Sequence, residues 1–169
     1  MAEESSIVNS DAPSRAERWY AGGLRFTCTQ CGNCCTGPPG YVWFSRREAL
    51  AIAGHLNIDL ETFLRRHAHT VNGRWTLNER RTEHGYDCVF LQRDEHGRAL
   101  CGIYPVRPGQ CRTWPFWPEN LASARRWRQV ARNCPGVARG IEGEGRLYPL
   151  EQVRIIRDST PGDPSPDAD

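Results

Sequence analysis

The stretch Cys28-Thr29-Gln30-Cys31-Gly32-Asn33-Cys34-Cys35 concentrates four thiols within eight residues. Two intervening residues let successive sulfurs converge on one point when the backbone turns tightly, and Gly32 can adopt the positive φ that such a turn needs. Cysteines that serve only as small buried hydrophobic residues would not cluster in this way. The stretch therefore predicts a metal-binding knuckle around which the rest of the chain folds.

Four further cysteines lie at wider spacing after the knuckle, at Cys88, Cys101, Cys111 and Cys134. Eight thiolates are enough for two sites of four sulfurs each. Adjacent side chains usually diverge, so we expect Cys34 and Cys35 to serve different sites or different irons. One partition follows the iron–sulfur run C-x2-C-x2-C-x3-C-P, whose last cysteine precedes a proline, as Cys134 does. It assigns Cys28, Cys31, Cys34 and Cys134 to one site and Cys35, Cys88, Cys101 and Cys111 to the other, while other pairings remain open.

The composition favours metal binding over several other functions. The 169 residues carry 22 basic side chains, all of them arginine, and 20 acidic ones, so the net charge of +2 is too balanced to indicate a nucleic-acid or membrane partner. No apolar run approaches the roughly 18 residues of a membrane span. The acidic N-terminal residues do not resemble an export signal. We therefore expect the cytoplasm, where reduced thiols bind metal rather than pair as disulfides.

Three regions can be distinguished along the chain by their composition. Residues 1–18 are polar and lack periodicity, and we predict a disordered N-terminal tail there. Residues 158–169 combine proline, glycine and acidic residues with almost no apolar ones, and we predict a disordered C-terminal tail. The cysteine-cluster metal-binding domain then spans residues 19–157.

Helix caps predict four short helices in this domain. Ser45 and Glu48 form a capping box at the start of the first helix. Asp59 and Ser123 are the expected N-caps of the second and third helices, because their side chains accept hydrogen bonds from the free backbone N–H groups of a first turn. The fourth helix begins at Pro149, whose fixed φ suits a helix start.

Strands and loops are predicted between the helices. Residues 88–91 and 100–104 are apolar and flank a polar turn with Asp94 and Gly97, which predicts a β-hairpin with one cysteine on each arm. Four prolines within residues 105–118 predict an ordered loop without regular helix or strand. The predicted fold is therefore α+β, a small metal-stabilised domain with short helices, a β-hairpin and long ordered loops.

Arginines and aromatic residues accompany Cys111. Arg107 and Arg112 flank it and can donate hydrogen bonds toward thiolates. Such donors would compensate the net charge of −2 that four thiolates leave around Zn²⁺. The alternative is that both arginines are solvated at the surface. The segment 107–132 holds six arginines and one acid, together with Trp114, Phe116, Trp117 and Trp127. Such aromatics either stack on nucleic-acid bases or cover a metal site and fill a small core. We expect the second use, so nucleic acid is not the expected partner.

The histidines offer no clear ligand set. They are His55, His67, His69, His84 and His96, and apart from His84 near Cys88 they share no metal-ligand spacing with the cysteines. We expect each of them at the surface. No phosphate-binding glycine loop, nucleophile elbow or His-Glu-x-x-His helix is present, so the sequence assigns no catalytic residue.

The motifs of the chain resemble those of a known family. They are Phe26-x-Cys28-x2-Cys31-Gly32-x-Cys34-Cys35, Cys88-Val89-Phe90-Leu91, Cys101-x-Ile103-Tyr104, Arg107-Pro108-x2-Cys111-Arg112 and Pro115-Phe116. Over about residues 24–140 the chain is similar to the YkgJ-type CxxCxxCC cysteine-cluster proteins. That resemblance implies a zinc- or iron-chelating domain, and relatives of the family include a flagellin lysine N-methylase.

The sequence as a whole predicts a metalloprotein that binds zinc or iron through up to eight cysteine thiolates. An iron–sulfur cluster such as [4Fe-4S] is one form that the cofactor can take. Two alternatives stay open: an iron–sulfur redox or methyl-transfer-associated enzyme, and a zinc-stabilised adaptor for nucleic acid or protein. A protein partner is compatible with each of them, and a membrane partner is not expected.

Overall fold

Short helices and two-stranded antiparallel sheets alternate in the computed structural model, which describes residues 12–161. The strands are β1 (Leu24–Phe26), β2 (Ala68–Val71), β3 (Arg74–Leu77), β4 (Glu79–Thr82), β5 (Gly85–Cys88), β6 (Leu91–Arg93), β7 (Ala99–Cys101) and β8 (Arg146–Tyr148). The helices are α1 (Arg46–His55), α2 (Leu60–His67), α3 (Gly109–Thr113), α4 (Pro118–Leu121), α5 (Ala124–Asn133), α6 (Pro135–Ile141) and α7 (Leu150–Asp158). Single 3₁₀ turns lie at Arg18–Tyr20 and Tyr104–Val106. The predicted α+β class is confirmed.

Most of the β structure consists of hairpins between neighbouring strands. β2 pairs with β3, β4 with β5, and β6 with β7. The exception is β1, which pairs with β8 so that Leu24 lies opposite Tyr148 and Phe26 opposite Arg146. This pair joins the segment before the knuckle to the segment before α7, and it therefore closes the domain.

The predicted helix starts are confirmed. The Ser45 hydroxyl accepts a hydrogen bond from the Glu48 N–H while the Glu48 carboxylate accepts one from the Ser45 N–H, which completes the capping box of α1. Asp59 and Ser123 each accept a hydrogen bond from the backbone N–H three residues later, at 2.7 and 3.2 Å, and cap α2 and α5. α7 follows Pro149 directly. No helix within residues 12–161 has the length and apolar character to cross a membrane.

Buried apolar residues form two clusters. The first includes Phe44, Ile52, Phe63, Leu77 and Ile103. The second includes Tyr20, Phe116, Trp127, Val137 and Val153. Cys88 and Cys101 pack against the first cluster, whereas Cys134 belongs to the second and Trp114 packs against it. The cysteines that follow the knuckle are thus distributed between the two clusters.

The predicted hairpin around Asp94 and Gly97 is present as β6 and β7, but the expectation of a cysteine on each of its arms is wrong. Cys88 ends β5 and lies opposite Glu79 on β4, whereas Cys101 ends β7 and lies opposite Leu91 on β6. Phe90, between β5 and β6, is buried in the first cluster, and the chain turns there instead of continuing as one strand. The two cysteines therefore belong to adjacent hairpins.

The prediction of a loop without helix over residues 105–118 is also wrong. Pro108 is the N-cap of α3, and Pro118 is the first residue of α4. A proline at the start of a helix removes no hydrogen bond, because the first N–H groups have no partner within the helix. The prolines therefore begin short helices here instead of excluding them.

The contacts of Glu17 anchor the N-terminal part of the described chain. Its carboxylate is 4% exposed and pairs with Arg154 at 2.8 Å and with Arg157 at 2.7 Å. Both arginines lie on α7, and Arg157 also donates to the Tyr20 hydroxyl at 3.1 Å. These contacts tie the segment before β1 to the last helix.

The predicted tails lie largely outside the described residues. Of the N-terminal tail predicted over residues 1–18, the structure describes residues 12–18, which include Glu17. Of the C-terminal tail predicted over residues 158–169, it describes residues 158–161, and Asp158 is the last residue of α7. The domain bounds at residues 19 and 157 stay predictions.

Replacing Glu17 with glutamine should remove a pH-dependent part of the stability. The hydrogen bond from Arg154, more than that from Arg157, holds the pKa of Glu17 well below its usual range. Such a carboxyl stabilises the fold at pH values above the pKa that it has in the unfolded state, about 4.3. This contribution decreases as the pH falls below that value. In urea unfolding, the wild type should exceed Glu17→Gln by about 2 kcal/mol near neutral pH.

The difference in unfolding free energy between the wild type and Glu17→Gln should shrink toward about pH 3. At that pH the Glu17 carboxyl is protonated in the unfolded state but still ionised in the folded state. The matched control is Glu142→Gln, which removes an exposed carboxyl and should follow the wild type at every pH. A wild-type advantage that stays constant from neutral pH to about pH 3 would contradict this account.

Candidate metal centre

Backbone hydrogen bonds hold the knuckle, residues 28–35, against two hairpins. The Ala99 N–H donates to the Gln30 carbonyl at 2.8 Å. The Cys88 N–H donates to the Cys35 carbonyl at the same distance. Between these contacts, the Cys35 N–H donates to the Gly32 carbonyl at 2.8 Å and closes a turn. The knuckle is therefore positioned by β5 and β7, each of which ends in a cysteine.

Five of the eight thiols line one cavity of about 300 Å³, and they belong to Cys34, Cys35, Cys88, Cys101 and Cys111. They come from four separate segments: the knuckle, β5, β7 and α3. Much of the remaining lining is apolar and includes Val42, Leu77, Ile103, Trp114 and Trp117. The fold thus gathers soft sulfur donors from distant positions in the sequence inside a mostly apolar wall.

The segment from Arg107 to Cys111 forms one wall of this cavity. Arg107, Pro108, Gln110 and Cys111 all line it. Glu48 on α1 accepts a hydrogen bond from the Gly109 N–H at 2.6 Å, and it thereby fixes the first turn of α3. The capping-box glutamate of α1 thus also determines where Cys111 lies.

The thiols in the cavity differ in acidity. The sulfurs of Cys34 and Cys35 are 3.6 Å apart, and the hydrogen bond that Cys35 donates lowers the pKa of Cys34 to about 7, with Arg107 acting in the same direction. This bond and burial raise the pKa of Cys35. Burial raises the pKa of Cys88 to about 11, and it also raises that of Cys111. A cavity without a cation therefore favours a single thiolate at neutral pH.

The other three thiols lie at the opposite side of the knuckle. Cys134 is buried, with 7% of its surface exposed, at the junction of α5 and α6. Burial raises its pKa, and the neighbouring Cys31 sulfur adds to that effect. Asn33 donates to the Asn133 carbonyl at 2.9 Å, which holds the knuckle against the end of α5. Cys28 is exposed and lines a shallow groove beside α6.

Comparison with protein families identifies this arrangement of cysteines. A family model described as "CxxCxxCC: Putative zinc- or iron-chelating domain" matches residues 27–135, which include all eight cysteines. The chain belongs to the CxxCxxCC family. The matched range also includes both hairpins that support the knuckle and the wall segment between Arg107 and Cys111.

The name of one curated relative of this CxxCxxCC protein states no activity. The chain is 33% identical over 97 residues to Uncharacterized protein MJ0661 of Methanocaldococcus jannaschii. The match covers 57% of the chain and 48% of that protein, so the chain spans about half the length of this curated relative. No solved structure matches the chain. The family description therefore carries the functional information.

The cysteines of the CxxCxxCC domain suit zinc or iron by their chemistry. Thiolate sulfur is a preferred ligand of both zinc and iron–sulfur clusters. Within residues 12–161, no three His, Cys, Asp or Glu side chains meet closely enough to hold an ion by themselves. The five sulfurs surround a cavity of about 300 Å³ instead of meeting at one point. The donor set thus fits such a centre, and Arg107 beside it supplies a compensating positive charge.

Cys34 and Cys35, which we expect to serve different sites or different irons, lie close together. Both line the same cavity, and their sulfurs are 3.6 Å apart. Successive side chains alternate in a strand, but residues 33–39 form a turn and a bend, where this alternation does not hold. The partition that groups Cys34 with Cys28, Cys31 and Cys134 stays a prediction.

The two arginines that flank Cys111 differ in position. Arg107 lines the cavity, and its guanidinium lies 3.9 Å from the centre of the Tyr104 ring. Arg112 is absent from the cavity wall within the described residues. It donates to the Arg107 carbonyl at 2.7 Å and approaches Glu48 at 3.6 Å. Only Arg107 is therefore placed to act directly on the thiols.

Aromatic residues and histidines occupy several different environments. Phe116 and Trp127 are buried in the second apolar cluster, so neither can stack on an external base. Trp114 and Trp117 line the cavity instead.

His67 packs between Phe63 and Phe90, and burial lowers its pKa. The remaining histidines, His55, His69, His84 and His96, are exposed, as expected.

Two polar residues of the site were missed by the sequence analysis. Gln110 lines the cavity, and its side chain accepts a hydrogen bond from the Trp43 N–H at 3.0 Å. Glu48 was identified only as part of a capping box, yet its carboxylate holds α3. The only signal for Gln110 was its place beside Cys111, which says nothing of a contact made 67 residues away.

Replacing Gly32 with alanine should disrupt the knuckle. Gly32 has a φ of 77°, and a Cβ there would lie 2.6 Å from the Ala99 Cβ. The matched control is Gly97→Ala, because Gly97 has a φ of 73° with nothing within 4 Å of the added Cβ. Both variants bear a left-handed backbone cost of about 1 kcal/mol, but only Gly32→Ala adds a clash.

We expect Gly32→Ala to lower both the melting temperature and the amount of metal that copurifies, well beyond the effect of Gly97→Ala. Calorimetry and elemental analysis of the two purified variants measure these quantities. Equal losses in both variants would show that the contact between Gly32 and Ala99 does not support the knuckle.

Proposed function

We propose that this domain binds zinc or iron through the thiolates that surround its cavity. The observation that carries the proposal is that Cys34, Cys35, Cys88, Cys101 and Cys111 line one cavity although they come from four separate segments. A disulfide framework would consume such thiols in pairs, yet all eight cysteines are free. A reducing cytoplasm, which we propose as the compartment, would keep them available.

Binding of a cation in the cavity would displace protons from its thiols. The pKa of Cys35, Cys88 and Cys111 is raised, so several protons must leave before more than one thiolate can ligate. A metal ion supplies the energy for this step, because it stabilises every thiolate that it contacts. Arg107 would offset the remaining negative charge. We therefore assign Arg107 a role in supporting the ligands.

The cavity has room for a centre with more than one metal atom. A single tetrahedral zinc is held by four sulfurs at about 2.3 Å from one point. Five cysteines line a cavity of about 300 Å³ here, one more than such an ion needs. An iron–sulfur cluster, [4Fe-4S] among others, is consistent with this size and would supply redox chemistry. Cys28, Cys31 and Cys134 would form a second group of ligands beside it.

Metal and acid-labile sulfide analysis of anaerobically purified protein tests the proposal. We expect bound zinc or iron in the wild type, and sulfide with iron if the centre is a cluster. Cys88→Ser and Cys111→Ser should each lower the bound metal severalfold, because each removes a sulfur from the cavity wall. The control His96→Ala removes an exposed side chain from the turn between β6 and β7, outside this wall.

The control should retain the wild-type metal content. Full metal content in both serine variants, or wild-type protein that is folded and free of zinc and iron, would overturn the proposal. A thermal transition recorded with each sample distinguishes the loss of a ligand from a failure to fold.

Replacing Arg107 with glutamine tests its supporting role. Partners that surround metal ligands typically change metal affinity by about 10- to 100-fold, and we expect a loss within this range, measured by competition with a chelator. The matched control, Arg46→Gln, removes one exposed positive charge from α1, away from the cavity wall. If both variants release metal equally, net charge rather than the position of Arg107 is responsible.

A further inference from the structure

A stripe of three arginines covers the solvent face of α5. Arg125, Arg128 and Arg132 are all exposed, whereas Trp127 on the same helix is 3% exposed and faces the second cluster. At 3.6 residues per turn, the three arginines fall within an arc of about 60° and span about 10 Å along the helix axis. Their positive charges are therefore aligned in a single row.

The stripe lies in a region without acidic residues. Residues 120–141 contain five arginines and neither aspartate nor glutamate. Within residues 12–161, none of the three stripe arginines forms an ion pair with a carboxylate. Arg65 on α2, in contrast, pairs with Glu61. The positive charge of the stripe is thus available to a partner.

The charge of the molecule as a whole does not explain a polyanion partner. The net charge of +2 is nearly balanced. Attraction of a polyanion would therefore come from the local field of the arginine row.

The residues beside the stripe indicate which polyanion fits. A protein interface usually requires a buried apolar or aromatic anchor at its centre, and binding of single-stranded nucleic acid uses aromatic side chains that stack on bases. The exposed residues of α5 are arginines and Asn133, and its one aromatic residue is buried. Duplex DNA needs neither feature, because neutralised phosphates supply most of its non-specific affinity.

The dimensions of the stripe suit a phosphate backbone. Each strand of duplex DNA carries a phosphate about every 3.4 Å of helix axis, so a row of about 10 Å corresponds to about three phosphates. The planar guanidinium group forms paired hydrogen bonds with phosphate oxygens, which favours arginine for this contact. We propose that the face formed by Arg125, Arg128 and Arg132 binds the phosphate backbone of duplex DNA without sequence preference.

The stripe is oriented by the cysteine knuckle. Asn33 in the knuckle donates to the carbonyl of Asn133, the last residue of α5, at 2.9 Å. Cys134 follows immediately and begins α6. DNA binding is a function beyond the proposed metal binding, but the same knuckle supports both sites. Metal content is therefore measured separately from DNA affinity.

Fluorescence anisotropy with a labelled duplex of about 20 base pairs and arbitrary sequence tests this proposal on the full chain with its metal bound. Three phosphate contacts predict a slope of about −2.7 for the logarithm of the binding constant against that of the salt concentration. Affinity should thus fall about 40-fold between 50 and 200 mM salt. The variant Arg125→Gln/Arg128→Gln/Arg132→Gln should lose most of this slope and at least about 10-fold in affinity at the lower salt concentration.

The matched control is Arg46→Gln/Arg47→Gln/Arg66→Gln, which removes three exposed arginines from α1 and α2 and changes the net charge equally. We expect it to bind within about threefold of the wild type. Equal weakening by both triple variants would overturn the proposal, because net charge alone would then explain binding. Tighter binding of duplex RNA, polyglutamate or phosphatidylserine vesicles than of duplex DNA would also overturn it.

Metal content and the thermal transition of each variant separate this proposal from the metal site. If the triple stripe variant loses metal, Arg128→Gln alone replaces it, and its salt slope should be smaller by about 1 than that of the wild type. An unchanged slope in Arg128→Gln would overturn the proposal. Weak binding of duplex DNA by the metal-loaded wild type would also overturn the DNA proposal, and it would leave the metal-binding proposal intact.

Discussion

Thiolates crowded around one cavity would repel one another, and a mostly apolar wall offers little water to relieve that repulsion, so most of these thiols keep their protons in the absence of a cation. Only Cys34 among the cavity cysteines has a lowered pKa, because Cys35 donates a hydrogen bond to it. The backbone nonetheless keeps the sulfurs together, through hydrogen bonds from Cys88 and Ala99 to knuckle carbonyls. A fold that maintains such crowding is stabilised most when a cation neutralises it, so we expect metal binding and folding to be linked.

Helix starts could be predicted from the sequence because their causes are local. Ser45, Asp59 and Ser123 each bond to an N–H group three residues away, so the relevant atoms lie within one turn of chain. Strand pairing could not be predicted in the same way. The sequence of β4 is Glu-Arg-Arg-Thr, which shows no apolar alternation. Its partner β5 ends at Cys88, whose N–H donates to the Cys35 carbonyl of the knuckle. That hydrogen bond joins residues 53 positions apart, so no local sequence pattern near β4 indicates it.

The residues of the candidate site could be predicted, but which cysteines share one cavity could not. Spacing predicts the cysteines as candidate ligands, since that inference needs only residue types and intervals. Whether Cys34 joins Cys35 depends on the bend that follows Gly32, and this bend is fixed by contact with Ala99 on a distant hairpin. α6 was missed for a similar reason. Its glycines suggest a loop, yet a Cβ at Gly140 would lie 1.9 Å from the Arg25 carbonyl oxygen, so glycine is what lets this helix lie against β1.

The knuckle connects two groups of thiols through a very short stretch of backbone. Cys34 and Cys35 face the cavity, whereas Cys31 lies beside Cys134 at the junction of α5 and α6. Gly32 lies between these groups, and a side chain at this position would clash with Ala99. Only two residues separate Cys31 from Cys34, so we expect a displacement of the sulfurs in one group to affect the other. Because the same junction orients α5, the arginine row on that helix should depend on the state of the thiols, and loss of metal should weaken binding of polyanions without any change in their direct contacts.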